Sequence, residues 1–372
     1  MKRLFSIVLT GLLLYRALPA VRAEGAAPPQ ISAASAVLMD AGTGRVLYEK
    51  DSHTHRLIAS TTKLMTALVA LESGHSLDET VTVASEWAGV EGSSIYLSPG
   101  EEISLEALLY GLLLRSGNDA ALAIAGHCGG TVENFVAQMN RKAGELGMAD
   151  SGFANPNGLD AEGHYSCAYD MALLAAACLE NEELARIAAT KSITLGTRTF
   201  TNHNKLLWRY EGCIGMKTGY TEHAGRTLVS AARRDGVTLI CVTLNAPSDW
   251  ADHTALFDYG FAEYQACPLT RTGERAGQLP VYGGLEPVCP IEMAEDLTAA
   301  LSAGERAEVS YELTQTTLTA PVSAGTQVGE AVYYVNSVEL ARVPLVTGKT
   351  VPCDLAEPSS LLGKIWERIT GL

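Results

Sequence analysis

The tetrapeptide Ser60-Thr-Thr-Lys63 is the sequence feature that most constrains this chain. It stands directly before the apolar run 64–71, whose leucine and alanine residues recur at helical spacing. The pattern predicts a buried helix with Ser60 near its N-terminus and Lys63 on the same face. A hydroxyl and an amine held together in the positive field of a helix start suit a nucleophile and its base. A serine helix cap followed by a surface lysine is the plainer interpretation, and the pair alone does not exclude it.

The amino terminus has the pattern of a secretory signal peptide, residues 1–23. A basic head is followed by an apolar run that is too short to span a bilayer, and 21–23 (Val-Arg-Ala) offers small residues at the two positions read by a signal peptidase. An uncleaved anchor is the alternative, and Arg16 argues against it. We therefore expect an exported protein in which residues 24–33 form a linker.

The composition excludes some classes of function. With 372 residues and 47% hydrophobic content, the chain is long enough for two domains. A formal net charge of −15 disfavours nucleic acid as a partner, because phosphates need a basic face. The eight histidines include no H-E-x-x-H motif, and the eight cysteines include no C-x-x-C pair. We therefore predict no metal site, no cofactor, and cysteines that are mostly free thiols.

Two regions of the chain differ in their secondary-structure patterns. Residues 34–266 mix helical runs with β-prone runs, among them hairpins at 36–48 and around Asp235-Gly236. From 267 to 355 short strands alternate with turns, which is typical of a small all-β domain. The sequence therefore predicts an α+β protein, with an antiparallel sheet flanked by helices and a smaller C-terminal all-β domain.

Two further motifs accompany the first one. Ser116-Gly-Asn118 falls between two predicted helices, 104–114 and 119–127, and Lys217-Thr-Gly219 falls on a predicted strand. S-x-x-K, S-x-N and K-T-G each occur once in the chain. Each motif is weak alone. In this order and on these elements, they match the motif set of penicillin-binding proteins and class A β-lactamases.

The chain resembles the D-alanyl-D-alanine carboxypeptidases of the low-molecular-mass penicillin-binding proteins, serine peptidase family S11. The resemblance runs from about residue 31 to 355, and the segments 153–160, 164–171 and 217–225 contribute to it. It implies a β-lactamase/transpeptidase-like fold. It also implies removal of the terminal D-alanine from peptidoglycan pentapeptides, covalent inhibition by β-lactams, and a location at the outer face of the cytoplasmic membrane or in the cell wall.

The resemblance assigns catalytic roles to the first two motifs. Ser60 would attack the carbonyl of the penultimate D-alanine and form an ester, with neutral Lys63 as the base. Ser116 would relay a proton to the leaving amine. Asn118 would hold both Lys63 and the substrate amide through its carbonyl and NH₂ groups.

The third motif is expected to bind the substrate. Lys217 and the Thr218 hydroxyl would hold the terminal carboxylate. Gly219 would let the substrate backbone lie along the strand. The backbone N–H groups of Ser60 and Tyr220 would form the oxyanion hole.

Three positions depart from the family pattern. Residues 214–216 are Ile-Gly-Met, where members often carry an Asp before K-T-G. Residues 245–247 (Asn-Ala-Pro) stand where some members have an Arg that grips the carboxylate, and Cys167 replaces a common Thr. Arg226 and Arg233 are near in sequence, but nothing in the sequence assigns them that task.

Two other functions stay open from the sequence. A serine β-lactamase would share Ser60, Lys63 and Lys217, and would need a glutamate that holds the deacylating water. Glu182 and Glu183 are the candidate acids for this task. A wall protein that is acylated by β-lactams but turns over no peptide is the second alternative.

The last segment, 356–372, is predicted to be an amphipathic helix. Its apolar residues fall on one helical face and are Leu361, Leu362, Ile365, Trp366, Ile369 and Leu372. A helix of this length cannot span a bilayer, but such a face can lie in the membrane surface. We predict peripheral membrane contact, with packing on the β domain as the alternative.

Deletion of residues 356–372 is expected to release the protein from membranes, because it removes this apolar face. The measurement is the recovery of the full-length and truncated chains in the membrane fraction of expressing cells. Equal recovery of the two chains would contradict the prediction.

Overall fold

The computed structural model describes residues 27–354, so the predicted signal peptide (1–23) and tail (356–372) lie outside the described residues. The described chain forms two compact units, residues 27–266 with 299–303 and residues 267–298 with 304–354. Within this range we find no helix that is both long and apolar enough to cross a membrane.

Helices and strands are numbered in chain order. The helices are α1 (Lys63–Glu72), α2 (Leu105–Leu114), α3 (Asn118–Gly129), α4 (Val132–Glu145), α5 (Ala168–Glu180), α6 (Glu182–Ala189), α7 (Leu206–Arg209) and α8 (Asp249–Glu263). The strands of the larger unit are β1 (Ser35–Asp40), β2 (Val46–Lys50), β3 (Thr80–Thr82), β4 (Glu102–Ser104), β5 (Ser192–Leu195), β6 (Arg198–Thr201), β7 (Cys213–Thr221), β8 (Gly225–Arg234) and β9 (Val237–Leu244). The later strands are β10 (Tyr264–Thr270), β11 (Arg275–Tyr282), β12 (Val288–Met293), β13 (Leu297–Ser302), β14 (Ala307–Leu313), β15 (Leu318–Thr319), β16 (Gln327–Val335) and β17 (Val338–Thr347).

A five-stranded sheet forms the centre of the larger unit. Its strand order is β2-β1-β9-β8-β7, and all neighbouring strands are antiparallel. In β1, Val37 and Met39 belong to a core shared with α1 to α6, whereas Ala36 and Leu38 belong to a core shared with α8. Successive side chains of a strand point to opposite faces, so both faces of the sheet are covered by helices. This two-sided burial explains why apolar residues fill consecutive positions in the middle of β1 and β9, and the helix-flanked antiparallel sheet confirms the predicted α+β class.

The last residues of the predicted linker are bound to α8. Ser32 donates hydrogen bonds from its backbone N and its Oγ to the Asp252 carboxylate, at 2.9 and 2.8 Å. The Ala33 backbone N donates to the same carboxylate at 2.9 Å. Asp252 is buried and accepts all three bonds, so the chain is already part of the larger unit at Ser32.

The described part of the smaller unit contains strands and turns, as the sequence predicted. Its main sheet has the order β14-β16-β17-β12-β11-β15, in which only β11 and β15 are parallel. The predicted turn at Asn336-Ser337 connects β16 to β17, and both turn residues have positive φ, 52° and 66°. Positive φ at both central residues matches the right-handed twist of a hairpin.

All eight cysteines lie within the described residues and are free thiols. Cys178 and Cys241 are fully buried in the larger unit, where they act as small core residues.

Candidate active site

Ser60 is presented by a tight turn and not by the α-helix itself. Residues 59–62 form a 3₁₀ turn that runs directly into α1, and Ala59 has a φ of 47°. The Thr61 hydroxyl donates to Ile58 O at 2.6 Å, and the Thr62 hydroxyl donates to Ala59 O at 2.8 Å. These two bonds fasten the turn to its own backbone and leave Ser60 half-buried, with its hydroxyl beside the first residue of α1.

Lys63 is the central side chain of the site, and it is fully buried. Its Nζ donates to Ser60 Oγ at 3.0 Å and to Asn118 Oδ1 at 2.7 Å. A third bond runs from Nζ to the backbone O of Asn157. The structure therefore brings the first two predicted motifs together through one nitrogen atom.

The second motif occupies the connection between α2 and α3. Ser116 is buried and has a φ of 62°, so the chain turns sharply there before α3 begins at Asn118. The Asn118 Nδ2 donates to Glu91 O at 2.6 Å, and its backbone N donates to Ser93 O at 2.7 Å. With its Oδ1 on Lys63, the Asn118 side chain is fixed at both ends. This fixed orientation is what makes it a positioning group.

The third motif lies on β7, the edge strand of the sheet. Lys217 is 1% exposed, and its Nζ donates to Thr218 O at 2.8 Å. A Cβ atom on Gly219 would lie 2.3 Å from Thr227 Oγ1 and 2.9 Å from the backbone N of Ser60. Only glycine fits so close to the Ser60 turn.

Thr218 and Tyr220 complete the residues predicted for this strand. The Thr218 side chain is half-buried, whereas Tyr220 is 65% exposed. The backbone of β7 therefore passes beside the Ser60 turn while the Tyr220 ring points to solvent. The Tyr220 ring is therefore not part of the buried cluster around Lys63.

Burial and mutual repulsion set the protonation of the two lysines. Burial lowers the pKa of Lys217 to about 7. The pKa of Lys63 is lowered well below its ordinary value, first by burial and then by the positive charge of Lys217, with Asp119 acting in the opposite direction. An amine with a depressed pKa is available as a base near neutral pH.

Sequence reasoning missed the residues that support the site from behind. Asn157 holds Lys63 through its backbone O, and the fixed turn around it is signalled only by the Asn-Pro-Asn-Gly string. His164 Nε2 lies 2.8 Å from the Thr62 hydroxyl, and its Nδ1 accepts from Ala154 N at 3.1 Å. Because these contacts are long-range or made by backbone atoms, no spacing rule reveals them.

One departure from the family pattern, Cys167, has a structural account, and the structure also shows what Arg226 contacts. The Cys167 Sγ accepts from Asp170 N at 3.3 Å at the start of α5, which is the bond a Thr hydroxyl would accept at a helix N-cap. Arg226 forms an ion pair with the buried Asp249 at 3.0 Å. Its guanidinium is thus already engaged by a carboxylate of the protein.

The glutamates considered for a β-lactamase both lie in the first turn of α6. Glu182 and Glu183 are exposed, and Glu183 is paired with Arg186. An exposed, paired carboxylate is poorly suited to holding a catalytic water in a site otherwise built from buried groups.

Replacing Lys217 by Gln is expected to raise the pKa of Lys63, because it removes the neighbouring positive charge that opposes protonation. Carbon-13 NMR of lysine-labelled protein measures this pKa, with the Lys63 signal assigned by its loss in Lys63→Arg. The matched control is Lys205→Gln, which removes an exposed charge and should leave Lys63 unchanged. An unchanged or lower pKa of Lys63 in Lys217→Gln would contradict this electrostatic account.

Two family models match the sequence. Residues 22–248 match the Peptidase S11 family, described as D-alanyl-D-alanine carboxypeptidase, and residues 264–352 match the C-terminal domain of penicillin-binding protein 5. The D-alanyl-D-alanine carboxypeptidase DacF of Bacillus subtilis (strain 168) is 34% identical over 363 residues, which cover 93% of each chain. The D-alanyl-D-alanine carboxypeptidase DacD of Escherichia coli (strain K12) is 34% identical over 342 residues, 87% of this chain and 88% of that one.

Solved structures show the same relationship. Penicillin-binding protein 5 from Haemophilus influenzae superposes with a TM-score of 0.76 at 31% identity, over 88% of this chain and 100% of that chain. PBP3 from Streptococcus pneumoniae, described as a peptidoglycan synthesis regulatory factor, has a TM-score of 0.75 at 27% identity, over 87% and 100%. With three motifs assembled around one buried lysine and a family match over most of its length, this chain belongs to the S11 family of D-alanyl-D-alanine carboxypeptidases.

Proposed function

We propose that this protein is a serine-type D-Ala-D-Ala carboxypeptidase that removes the terminal D-alanine from peptidoglycan stem peptides. The observation that carries the proposal is the contact of 3.0 Å between Lys63 Nζ and Ser60 Oγ. It pairs a half-exposed hydroxyl with a buried amine whose pKa is depressed. This is the arrangement that an activated serine nucleophile requires.

The reaction proceeds in two steps on Ser60. In acylation, Ser60 Oγ forms a bond to the carbonyl carbon of the penultimate D-alanine while Lys63 takes the hydroxyl proton. The peptide bond then breaks, and the leaving amine of the terminal D-alanine receives a proton through Ser116. In deacylation, water attacks the ester, the Ser60 hydroxyl is restored, and the shortened peptide leaves with a new carboxylate.

The groups that bind the substrate lie on β7 and in the Ser60 turn. Lys217 and the Thr218 hydroxyl bind the terminal carboxylate of the peptide, and the substrate backbone lies along the strand at Gly219. The backbone N–H groups of Ser60 and Tyr220 stabilise the oxyanion. The proximity of the Gly219 backbone to the Ser60 N supports this placement, since it brings β7 directly beside the Ser60 turn.

We infer the cellular setting from the sequence and the family. The signal-like residues 1–23 support export, and the apolar face of 356–372 supports peripheral contact with the membrane surface. The enzyme would then act at the outer face of the cytoplasmic membrane or in the cell wall. β-Lactams would acylate Ser60 as covalent inhibitors, because they present a carboxylate and a reactive amide to the same groups.

Ser60→Ala is expected to abolish both the release of D-alanine from a D-Ala-D-Ala peptide and labelling by a fluorescent penicillin, because both require Oγ. Steady release by the wild type distinguishes a carboxypeptidase from a β-lactamase and from a binding-only wall protein. Ser85→Ala, which changes an exposed serine, is the control and should retain both activities. Continued labelling of Ser60→Ala would show that the nucleophile is another residue.

The pH dependence of kcat/KM should be bell-shaped. Acylation needs neutral Lys63, so the rate rises as pH rises through the depressed pKa of Lys63. Carboxylate binding needs charged Lys217, so kcat/KM falls as pH rises through the Lys217 pKa of about 7. The measurement is D-alanine release under limiting substrate across the pH range.

Lys217→Arg tests the assignment of the alkaline limb. Arginine stays protonated across this range, so the alkaline limb should move to higher pH, whatever the loss in absolute rate. An alkaline limb at the same pH in Lys217→Arg would assign that limb to another group.

A further inference from the structure

Two histidines and one glutamate meet at the end of the helices opposite to the reactive groups. His75 lies in the turn after α1, Glu79 lies just before β3, and His127 lies in the last turn of α3. His75 Nδ1 is 2.9 Å from Glu79 Oε2, and His127 Nε2 is 3.2 Å from Glu79 Oε1. The three donor atoms all lie within 4.8 Å of one another.

Hydrogen bonding among these residues does not account for the position of His127. Among residues 27–354, its Nε2 is one of two buried side-chain polar atoms that have no hydrogen-bond partner. It faces the carboxylate at close range, but at an angle that makes no hydrogen bond. A buried nitrogen that makes no hydrogen bond costs free energy even beside a carboxylate, and a metal ion between the nitrogen and the carboxylate would remove that cost.

The surrounding backbone also favours a cation. α1 ends at Glu72, three residues before His75, and His127 belongs to the last turn of α3. The C-terminal ends of both helices therefore lie close to the cluster. The carbonyl groups of a helix C-terminus carry partial negative charge, which stabilises a nearby positive ion.

We propose that His75, Glu79 and His127 bind a divalent transition-metal ion of the zinc type. Zinc takes imidazole nitrogen and carboxylate oxygen at about 2.0–2.2 Å, and ligands on a tetrahedron then lie about 3.3 Å apart. The nitrogen–oxygen distances of 2.9 and 3.2 Å, each to a different oxygen of Glu79, are near that spacing, and an ion would replace the present His75–Glu79 hydrogen bond. Three protein ligands leave a fourth position for water.

The role of this ion is structural. α1 is 10 residues long, so its C-terminal end lies about 15 Å along the helix from Lys63. The metal would fasten the ends of α1 and α3, whose opposite ends carry Lys63 and Asn118. It would thus stabilise the two helices without touching the reacting atoms.

A second group of possible ligands provides a matched control. His53 and His55 contact the two oxygens of Asp150, at 3.2 and 3.1 Å, and Cys167 is near His53 and Asp150. Burial raises the pKa of Cys167 to about 12, so the sulfur stays a thiol and is a poor ligand. The His53 and His55 side chains are also 59% and 52% exposed, against 31% and 20% for His75 and His127, so His53 is a histidine in similar local chemistry that should not contribute to tight binding.

The test is calorimetric titration of chelator-treated, full-length protein with Zn²⁺. We expect one site per chain in the wild type, and the same in His53→Gln. His127→Gln and His75→Gln should each weaken binding by about 100-fold or more, since loss of a ligand exceeds the 10–100-fold cost of a lost supporting contact. Zn²⁺ should raise the melting temperature of the wild type and of His53→Gln, but not of the two ligand variants.

Three outcomes would overturn the proposal. They are the absence of saturable Zn²⁺ binding in the wild type, unchanged binding in both His127→Gln and His75→Gln, and loss of the site in His53→Gln. His75 lies in a turn and is half-buried, so His75→Gln keeps the test valid if His127→Gln proves unstable. D-Alanine release is measured in parallel and should be retained by both ligand variants, which separates this proposal from the proposed function.

Discussion

The buried amine of Lys63 is the constraint on which the rest of the site depends. Its Nζ is reached by three separate parts of the chain, through Ser60 Oγ, Asn118 Oδ1 and the backbone O of Asn157. All three acceptors are neutral oxygens. Taking an ammonium out of water costs several kcal/mol, and neutral acceptors recover less of that cost than a carboxylate would. Burial depresses the pKa of Lys63 and favours the neutral amine, whose two N–H groups suffice for Asn118 and Asn157 and whose lone pair then faces the Ser60 hydroxyl and accepts its proton.

The second buried lysine, Lys217, affects the protonation of Lys63. Lys217 donates to a backbone carbonyl on its own strand, and its positive charge further disfavours a second charge on Lys63. In the proposed mechanism, Lys63 is the base and Lys217 is the cation that binds the substrate carboxylate. Binding of that carboxylate would raise the pKa of both lysines. It would stabilise the charge on Lys217, and it would offset the repulsion between Lys217 and a charge on Lys63.

The fold class and the three motifs were predictable because each has a local signal. The helix at 104–114 has a serine cap, the hairpin around Asp235-Gly236 has its turn residues, and S-x-x-K falls before an apolar helical run. The short helix α6 and the β5–β6 hairpin were not predicted, although α6 has a local start signal in its Asn181 cap and the glutamates of its first turn. The contact of Asn157 with Lys63 spans 94 positions of sequence and uses a backbone oxygen, so no residue type marks it.

Neutral groups also hold the segment behind the Ser60 turn. Gly158 has a φ of 85°, and a Cβ there would lie 2.0 Å from Ala59 O, so this loop packs backbone against backbone. His164 accepts from Ala154 N through Nδ1, which leaves Nε2 to donate to the Thr62 hydroxyl. Burial lowers the pKa of His164 to about 4, with Asp160 acting in the opposite direction. A protonated imidazole would lose the bond from Ala154 and place a cation near Lys63. Fastening the turn through neutral contacts thus stabilises its geometry without adding a charge that would alter the base.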